Sequence, residues 1–359
     1  MTGQPWLLTR KHPPDVGGMQ QLSFQLAEGL KALRPVTVVA WRRGQWGLPI
    51  FFLTSFARLV PALVLKRISV LHLGDPALAA LAWLPRLFGV PVAVTVHGLD
   101  ITWPARIYQA YLRLFFWKHM DAYVGISRHV RDELLSAGLA SEQVLVIPPG
   151  GDALPAASEE PELEARLAGS YPVLFAVGRL VERKGLQWFL REVAPDWLAR
   201  HPMATLVLAG DGPMRPAIEA AIAEFGLQSQ VLLPGPVSDA RKAWLFERCD
   251  LVLMPNLEVP GDVEGFGLVA VEAGRAGRWV AVADLQGLRD AVTEDGNGSR
   301  VEAGNALAWA QALDRLCGDP ESLRARGRQA RDFVTTKFSW AAMVAKYDSL
   351  LSSMESDAA

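Results

Sequence analysis

Met254-Pro-Asn-Leu-Glu-Val-Pro-Gly-Asp-Val-Glu-Gly-Phe-Gly-Leu-Val-Ala-Val-Glu272 opens out of the apolar run Leu251-Val-Leu-Met254. Apolar run, polar loop closed by Gly-x-Gly, second apolar run: the order reads as strand, turn and helix. A short continuous apolar run bounded by turn residues fits a strand buried on both faces, as in a parallel sheet. Gly265 and Gly267 let the backbone turn sharply and come close to a ligand. Leu268 to Gly277 predicts a short buried helix, whose first N–H groups and positive dipole end face the turn and suit an anion. Glu264 stands at the mouth of that helix and Glu272 about two turns along it. Such a pair can grip a ligand at two hydroxyl-rich points with a phosphate between them. Taken alone it can equally be one carboxylate facing a helix dipole and another in solvent.

The same alternation runs outward in both directions. Upstream, Trp6–Thr9, Val36–Ala40, Ser69–Leu73, Val90–Val96, Ala122–Ile126 and Val144–Ile147 read as buried strands. Residues around Ala27–Lys31 and from Arg106 to His119 read as helices between them. Downstream of a turn at Pro148-Pro-Gly-Gly-Asp152 and an Ala/Pro/Ser/Glu-rich stretch to Glu164, the pattern restarts. Val173–Val177, Ala204–Ala209, Val231–Leu233, Leu251–Met254 and Val280–Val282 are its strands, and Ser322 to Leu351 is helical by pattern. Strand and helix in alternation predict α/β architecture with parallel sheets covered on both faces. The chain of 359 residues is long enough for two such domains, each with its own core.

Composition narrows the function classes. Half the residues are hydrophobic and 21% charged, an ordinary globular balance with no disordered bias. Cys249 and Cys317 are far apart and lack metal-ligand neighbours, so a disulfide scaffold or zinc site is not expected. The first ten residues carry no secretory signal pattern. Arg58 and Pro61 interrupt the apolar stretch Leu48–Leu65, which reads as buried or interfacial, not as a membrane span. Residues 1–150 carry 15 Lys and Arg against 8 Asp and Glu, a net of +7, and the remainder carries 21 against 30, a net of −9. The basic half predicts an anionic partner, while the acidity of the second half argues against nucleic acid.

Further motifs sit at strand ends. Gly178-Arg-Leu-Val-Glu-Arg-Lys-Gly185 puts Arg179 and Lys184 where a diphosphate would be neutralised, although it is not a P-loop and alone reads equally as a solvated basic turn. Gly210-Asp-Gly-Pro213 and Pro234-Gly235-Pro-Val237 are tight strand-to-helix turns. Val16-Gly17-Gly18-Met19 follows the first strand and would let backbone N–H groups approach a phosphate. His97-Gly98-Leu-Asp100 ends a strand, where a histidine is commonly a hydrogen-bonded loop residue, and Gly125-Ile-Ser127-Arg128 ends the next. Arg106, Arg113 and Lys118 stand among five aromatics between Arg106 and His119. Most such stripes face a core, but a basic aromatic helix also suits an anionic membrane.

Glu264-x7-Glu272, with Arg179 and Lys184, resembles the signature of family 4 retaining glycosyltransferases, a group that includes phosphatidylinositol mannosyltransferases and many lipopolysaccharide and exopolysaccharide enzymes. The matching motifs run from Gly17 to the C-terminal helix. The resemblance implies a GT-B fold: two Rossmann-like domains facing across a cleft, with the last helix crossing back. On that basis residues 1–152 with 340–359 form an acceptor domain, and 153–339 a nucleotide-sugar domain. His97 and Glu264 would contact the donor sugar, Arg179 and Lys184 the diphosphate, and Glu272 the ribose. The backbone at Phe266, Gly267 and Leu268 would meet sugar and phosphate, with Gly17, Gly18, Gly210 and Gly235 lining the nucleotide. Arg183 holds no motif position.

The implied activity is transfer of a hexose from a nucleotide diphosphate sugar, GDP-mannose or a UDP-hexose, to a lipid-linked or glycan hydroxyl, with no metal required. The setting would be cytoplasmic, peripheral on the inner face of the plasma membrane, in glycolipid or envelope polysaccharide synthesis. Three features depart from the family pattern: Gly277-Arg-Trp-Val-Ala-Val-Ala-Asp284 stands where a Pro-Val-Ile turn is usual, Gln286-Gly287 replaces the usual Gly-Gly, and the loop Glu258–Val263 is long, as in the lipid mannosyltransferases. A nucleotide-sugar epimerase of the same fold and a catalytically silent glycan-binding or partner-binding homologue stay open. A dinucleotide dehydrogenase is disfavoured, since no Gly-x-Gly-x-x-Gly follows the first strand.

Overall fold

Short apolar runs, joined by one mixed edge strand, become two parallel six-stranded sheets in a computed structural model of the protein. The structure describes residues 3–13, 17–41, 47–117, 119–151 and 154–357; Val16, Lys118, Asp152 and Ala153 lie outside them. The chain divides into two compact units, Met1–Gly150 with Phe338–Ala359, and Gly151–Lys337.

The first sheet comprises β1 (Gln4–Thr9), β2 (Thr37–Ala40), β3 (Ile68–Leu73), β4 (Val92–Val96), β5 (Ala122–Gly125) and β6 (Val144–Val146). Their order is β2-β1-β3-β4-β5-β6, so the chain reverses direction between β1 and β3. Right-handed crossovers put the helix Gly18–Leu33 on one face and the connections from β2 onward on the other. The C-terminal helix Trp340–Asp357 packs against Gly18–Leu33, and a Cβ on Gly29 would meet Val344 Cγ2 at 2.4 Å. A buried polar chain ties this helix to the sheet: His72 Nε2 lies 2.9 Å from Thr95 Oγ1, itself 2.8 Å from the Tyr347 hydroxyl. Burial, with His97 nearby, lowers His72 to about 3, so it is neutral at physiological pH.

The second sheet holds β7 (Val173–Val177), β8 (Thr205–Ala209), β9 (Val231–Gly235), β10 (Leu251–Met254), β11 (Trp279–Ala283) and β12 (Gly298–Val301). Its order, β12-β11-β10-β7-β8-β9, reverses between β7 and β10. In an open parallel sheet the carboxyl ends at such a reversal diverge and leave a crevice for ligands.

Eleven of the twelve strands coincide with the apolar runs in the sequence. The twelfth, Gly298-Ser-Arg-Val301, is an edge strand with Arg300 exposed, and its composition hides it. The helical segment expected from Ser322 to Leu351 is two helices, Pro320–Lys337 and Trp340–Asp357, one in each unit. Ser339 separates them by accepting the Ala342 N–H on its side chain at 3.1 Å, as an N-cap does. The helix from Arg106 ends at Phe115, short of His119. Leu48–Val64 is a helix, and no helix among the described residues is long and apolar enough to cross a membrane.

Candidate functional site

The reversal of the second sheet brings the loops after β7 and β10 side by side. Gly185, with φ +65°, makes this approach possible: a Cβ there would lie 1.9 Å from the Pro255 carbonyl oxygen. The Leu257 N–H donates to the Arg183 carbonyl at 2.9 Å and stitches the two loops together. Lys184 is thereby delivered to Glu264, with Nζ 2.6 Å from Oε2. The same oxygen accepts from Asn256 Nδ2 at 2.9 Å, and Arg183 Nε stands 3.4 Å away. Arg183 also pairs with Asp262 at 3.0 Å.

Glu264 is buried, which by itself favours protonation. Lys184, then Arg183, and the hydrogen bonds from Lys184 and Asn256 outweigh that cost and hold it down at about 2. It is a fixed anion with little basicity. Its backbone is fixed as well: Glu264 N–H donates to Gln286 Oε1 at 2.7 Å, and Gly287 N–H donates to the Glu264 carbonyl at 3.1 Å. Gln286 adopts φ +44°, the left-handed region that disfavours a side chain. The loop after β11 is thus the third wall of the site.

Gly267 caps the helix Leu268–Arg275 with φ +90°, and its missing Cβ leaves room for Leu288, whose Cδ2 would lie at 2.5 Å. Phe266 is buried beside it. Glu272 lies little more than one turn into the helix, not two, and its carboxylate takes Lys242 Nζ at 2.9 Å. Burial works against the Lys242 charge, but Glu272 raises its pKa overall. Arg179 is exposed and has no ion pair among the described residues. Gly210 N–H donates to the Gly235 carbonyl at 2.8 Å, joining the turns after β8 and β9. Glu264, Lys184, Gly267 and Leu268 therefore share one neighbourhood, with Arg179 in the same β7 loop.

The first unit has its own cluster at its strand ends. His97 is buried, with Nε2 3.0 Å from the Gly74 carbonyl oxygen, and its backbone N–H donates to both oxygens of Asp100 at 3.0 and 2.9 Å. Burial raises Asp100 to about 6, although His97 pulls the other way. Arg10 Nε pairs with the fully buried Asp75 at 2.9 Å, and Tyr108 donates to the Asp100 carbonyl at 2.7 Å. Gly17 and Gly18 are exposed at the start of the helix Gly18–Leu33, where the Gly17 carbonyl accepts from Gln21 N–H at 3.0 Å. Ser127 is a helix cap: its hydroxyl accepts the Val130 N–H at 3.2 Å.

Sequence reasoning missed Asn256, Arg183, Lys242 and Gln286 as parts of these networks. Asn256 leaves its Oδ1 buried without a partner. A polar residue two positions after β10, at the carboxyl-end crevice, was the available signal.

Two family models match the two halves of the chain. Residues 7–150 match the glycosyl transferase 4-like domain and residues 160–333 match glycosyl transferases group 1. The chain belongs to the group 1 glycosyltransferases.

Among relatives of this transferase, the D-inositol 3-phosphate glycosyltransferase of Nocardia farcinica is 32% identical over 57% of the chain. That alignment spans 46% of the relative, less than half its length. The GDP-mannose-dependent alpha-(1-6)-phosphatidylinositol monomannoside mannosyltransferase of Mycolicibacterium smegmatis is 26% identical over 77% of the chain and 74% of its own length. Sucrose-phosphate synthase from Thermosynechococcus elongatus superposes with a TM-score of 0.79 at 20% identity, covering 99% of this chain and 100% of that one. Anabaena HepE in complex with UDP gives 0.76 at 20% identity, over 98% and 100%. These likenesses establish the GT-B fold of the glycosyltransferase.

Proposed function

We propose that this glycosyltransferase moves a hexose, with retention of anomeric configuration, from a nucleotide diphosphate sugar to a lipid-linked or glycan hydroxyl. The observation that carries the reading is the ionised Glu264, clamped by Lys184 and Asn256 at the sheet reversal beside the Gly267 helix start. A carboxylate held at about 2 is a poor base. It suits gripping sugar hydroxyls, not deprotonating an acceptor, and that proton is left for the departing diphosphate. Arg179, Lys184 and the helix start would stabilise the charge that develops on this leaving group. Glu272 would hold the ribose, sharing its charge with Lys242. His97 would meet the sugar from the first unit, which would bind the acceptor, while the second unit binds the nucleotide. The name of the mycolicibacterial relative favours GDP-mannose and a phosphatidylinositol-linked acceptor. Glycolipid or envelope polysaccharide synthesis at the inner face of the plasma membrane is the setting we propose for it.

The test is thermal stabilisation by UDP, GDP, ADP and their sugars, on wild type and Arg179→Ala. A ligand that binds only the folded state adds about 2.7 kcal/mol at a hundredfold excess over its Kd. A shift with one nucleotide, lost in the variant, is expected and identifies the donor base. No shift with any of them overturns donor binding and favours a silent homologue. Retention is read separately, from the anomeric configuration of the product by NMR.

A further inference from the structure

Lys242 holds a charge where the fold disfavours one. It lies one turn into the helix Asp239–Arg248, near the positive end of that helix, and its side chain is only 19% exposed. Burial works against the ammonium as well, and Glu272 more than offsets it. The helix is anchored without this lysine. Ser238 Oγ accepts the Arg241 N–H at 3.2 Å, and Ala243, Trp244, Leu245 and Phe246 are buried. A half-buried ion pair adds little stability that two apolar side chains would not supply in its place. The pair with Glu272 therefore calls for a role beyond holding two helices together.

The unused hydrogen-bonding capacity of the pair points to that role. Lys242 Nζ donates to Glu272 Oε1 at 2.9 Å and lies 3.3 Å from Asp239 Oδ1, which leaves one of its three N–H groups over. Glu272 Oε2 has no hydrogen bond or ion pair among the described residues. Glu264 is arranged in the same way: Lys184, Asn256 and Arg183 converge on Oε2 and leave Oε1 open. At Glu272, however, the lysine too has a donor to spare. A free acceptor beside a free donor matches two neighbouring hydroxyls used in opposite senses, one donating and the other accepting. Helical side chains lean towards the amino end, so Glu272, about 6 Å along the axis from Leu268, leans back towards the Gly267 helix start. A ribose joined to a diphosphate at that start would bring its vicinal diol within reach.

We infer that Lys242 is a second ribose-binding residue: Glu272 Oε2 accepts from one hydroxyl of the diol, and Lys242 Nζ donates to the other. The inference rests on the proposed function, which gives the ribose to Glu272, and goes beyond it. A carboxylate gripping the diol alone would use both hydroxyls as donors. With the lysine beside it, one hydroxyl is read as a donor and its neighbour as an acceptor.

The test is calorimetric titration of the full chain with UDP, GDP and ADP, then with the 2′-deoxy, 3′-deoxy, 2′-fluoro and 3′-fluoro analogues of the one that binds. Removing a hydroxyl bonded to a charged group should weaken binding roughly 10- to 100-fold. Fluorine accepts weakly and donates nothing, so it separates the two senses without altering the protein. At the hydroxyl that accepts from Lys242, the fluoro analogue should bind more tightly than the deoxy one. At the hydroxyl that donates to Glu272, it should bind no better. Lys242→Met should abolish the penalty for removing the first hydroxyl and keep the penalty for the second. Should that variant fail to fold, the fluoro comparison on wild type decides alone. Fluoro analogues no better than deoxy at both positions mean that Glu272 holds both hydroxyls, and they overturn the inference. Loss of both penalties in Lys242→Met makes the lysine a support for Glu272 only, which overturns its contact with the ribose. Nucleotide binding with no penalty for either deoxy analogue overturns the inference and leaves the transferase reading standing. No binding by any of the three nucleotides overturns donor binding itself, and the inference falls with it.

Discussion

At the carboxyl ends of the second sheet Glu264 meets Lys184, Arg183 and Asn256; at those of the first, Asp100 meets backbone N–H groups and the neighbouring His97. Both carboxylates are buried in parallel sheets of the same size. The surplus of cations holds one at about 2, and their scarcity lets burial raise the other to about 6. The topology supplies the place for a site, and the side chains that loops bring to it decide its chemistry. The second unit has built a permanently ionised carboxylate, which under the proposed function would grip a neutral, hydroxyl-rich ligand. The first has built an acid that changes charge near neutral pH.

The sharpest way to break this comparison is to remove the cation that makes Glu264 permanent. Lys184→Ala leaves a buried carboxylate short of its main partner, and such losses cost about 3–5 kcal/mol. Adding Glu264→Gln should restore much of the stability while donor binding stays lost, since the amide no longer needs a cation. Urea unfolding of the two single variants and the double variant gives the coupling directly. Additive effects would mean that the 2.6 Å contact carries no energy.

Asp100 offers the opposite sign. Its folded pKa lies above the unfolded value of 3.8, so its contribution is complete below about pH 4 and is lost as pH rises through 6, an effect of about 3 kcal/mol. His72, lowered from 6.5 to about 3, works against it: stability rises with pH through that window. In wild type the two partly cancel between pH 4 and 6. Asp100→Asn should unmask the His72 slope and make stability rise more steeply with pH. Hydrogen-exchange protection of β3 and β4, corrected for intrinsic rates, measures it. Parallel pH profiles for wild type and variant would show that burial does not raise Asp100.

Arg179 tests whether the second site is poised for an anion. It is exposed and without an ion pair among the described residues, so Arg179→Ala should leave stability unchanged. Loss of a charged hydrogen bond to a diphosphate should weaken nucleotide binding by about 2 kcal/mol, read by titration calorimetry. Unchanged affinity would move the diphosphate away from the β7 loop.

The contrast between the sites was far less legible in the sequence than the sheets that carry them. Strands of a parallel sheet are buried on both faces, so their apolar runs stand out, and only the edge strand β12, with Arg300 in it, escaped. Glu264 and Lys184 were visible through their motifs, but 80 residues separate the members of that pair. Arg183 held no motif position yet reaches both Asp262 and Glu264. Lys242, the partner of Glu272, lies in the helix Asp239–Arg248, where nothing local distinguishes it from a solvated lysine. Such pairings depend on tertiary approach, which a linear pattern does not encode.

Gln286 is the smallest test and the one tied most closely to this chain. It stands where the family resemblance implies a glycine, and its φ of +44° is a conformation that glycine adopts without strain. The strain is offset by the side chain, whose Oε1 takes the Glu264 N–H at 2.7 Å. Gln286→Gly relieves the first and forfeits the second, each worth about 1 kcal/mol. Stability should therefore change by less than about 1 kcal/mol in either direction. Positioning should not be neutral, because the Glu264 backbone would lose the contact that sets its carboxylate against Lys184. A raised KM for the donor at unchanged thermal stability is the expected outcome. If KM and kcat both match wild type, Gln286 compensates only for its own strain, and the Glu264 loop is positioned by its remaining contacts with Lys184, Arg183, Asn256 and the Gly287 N–H.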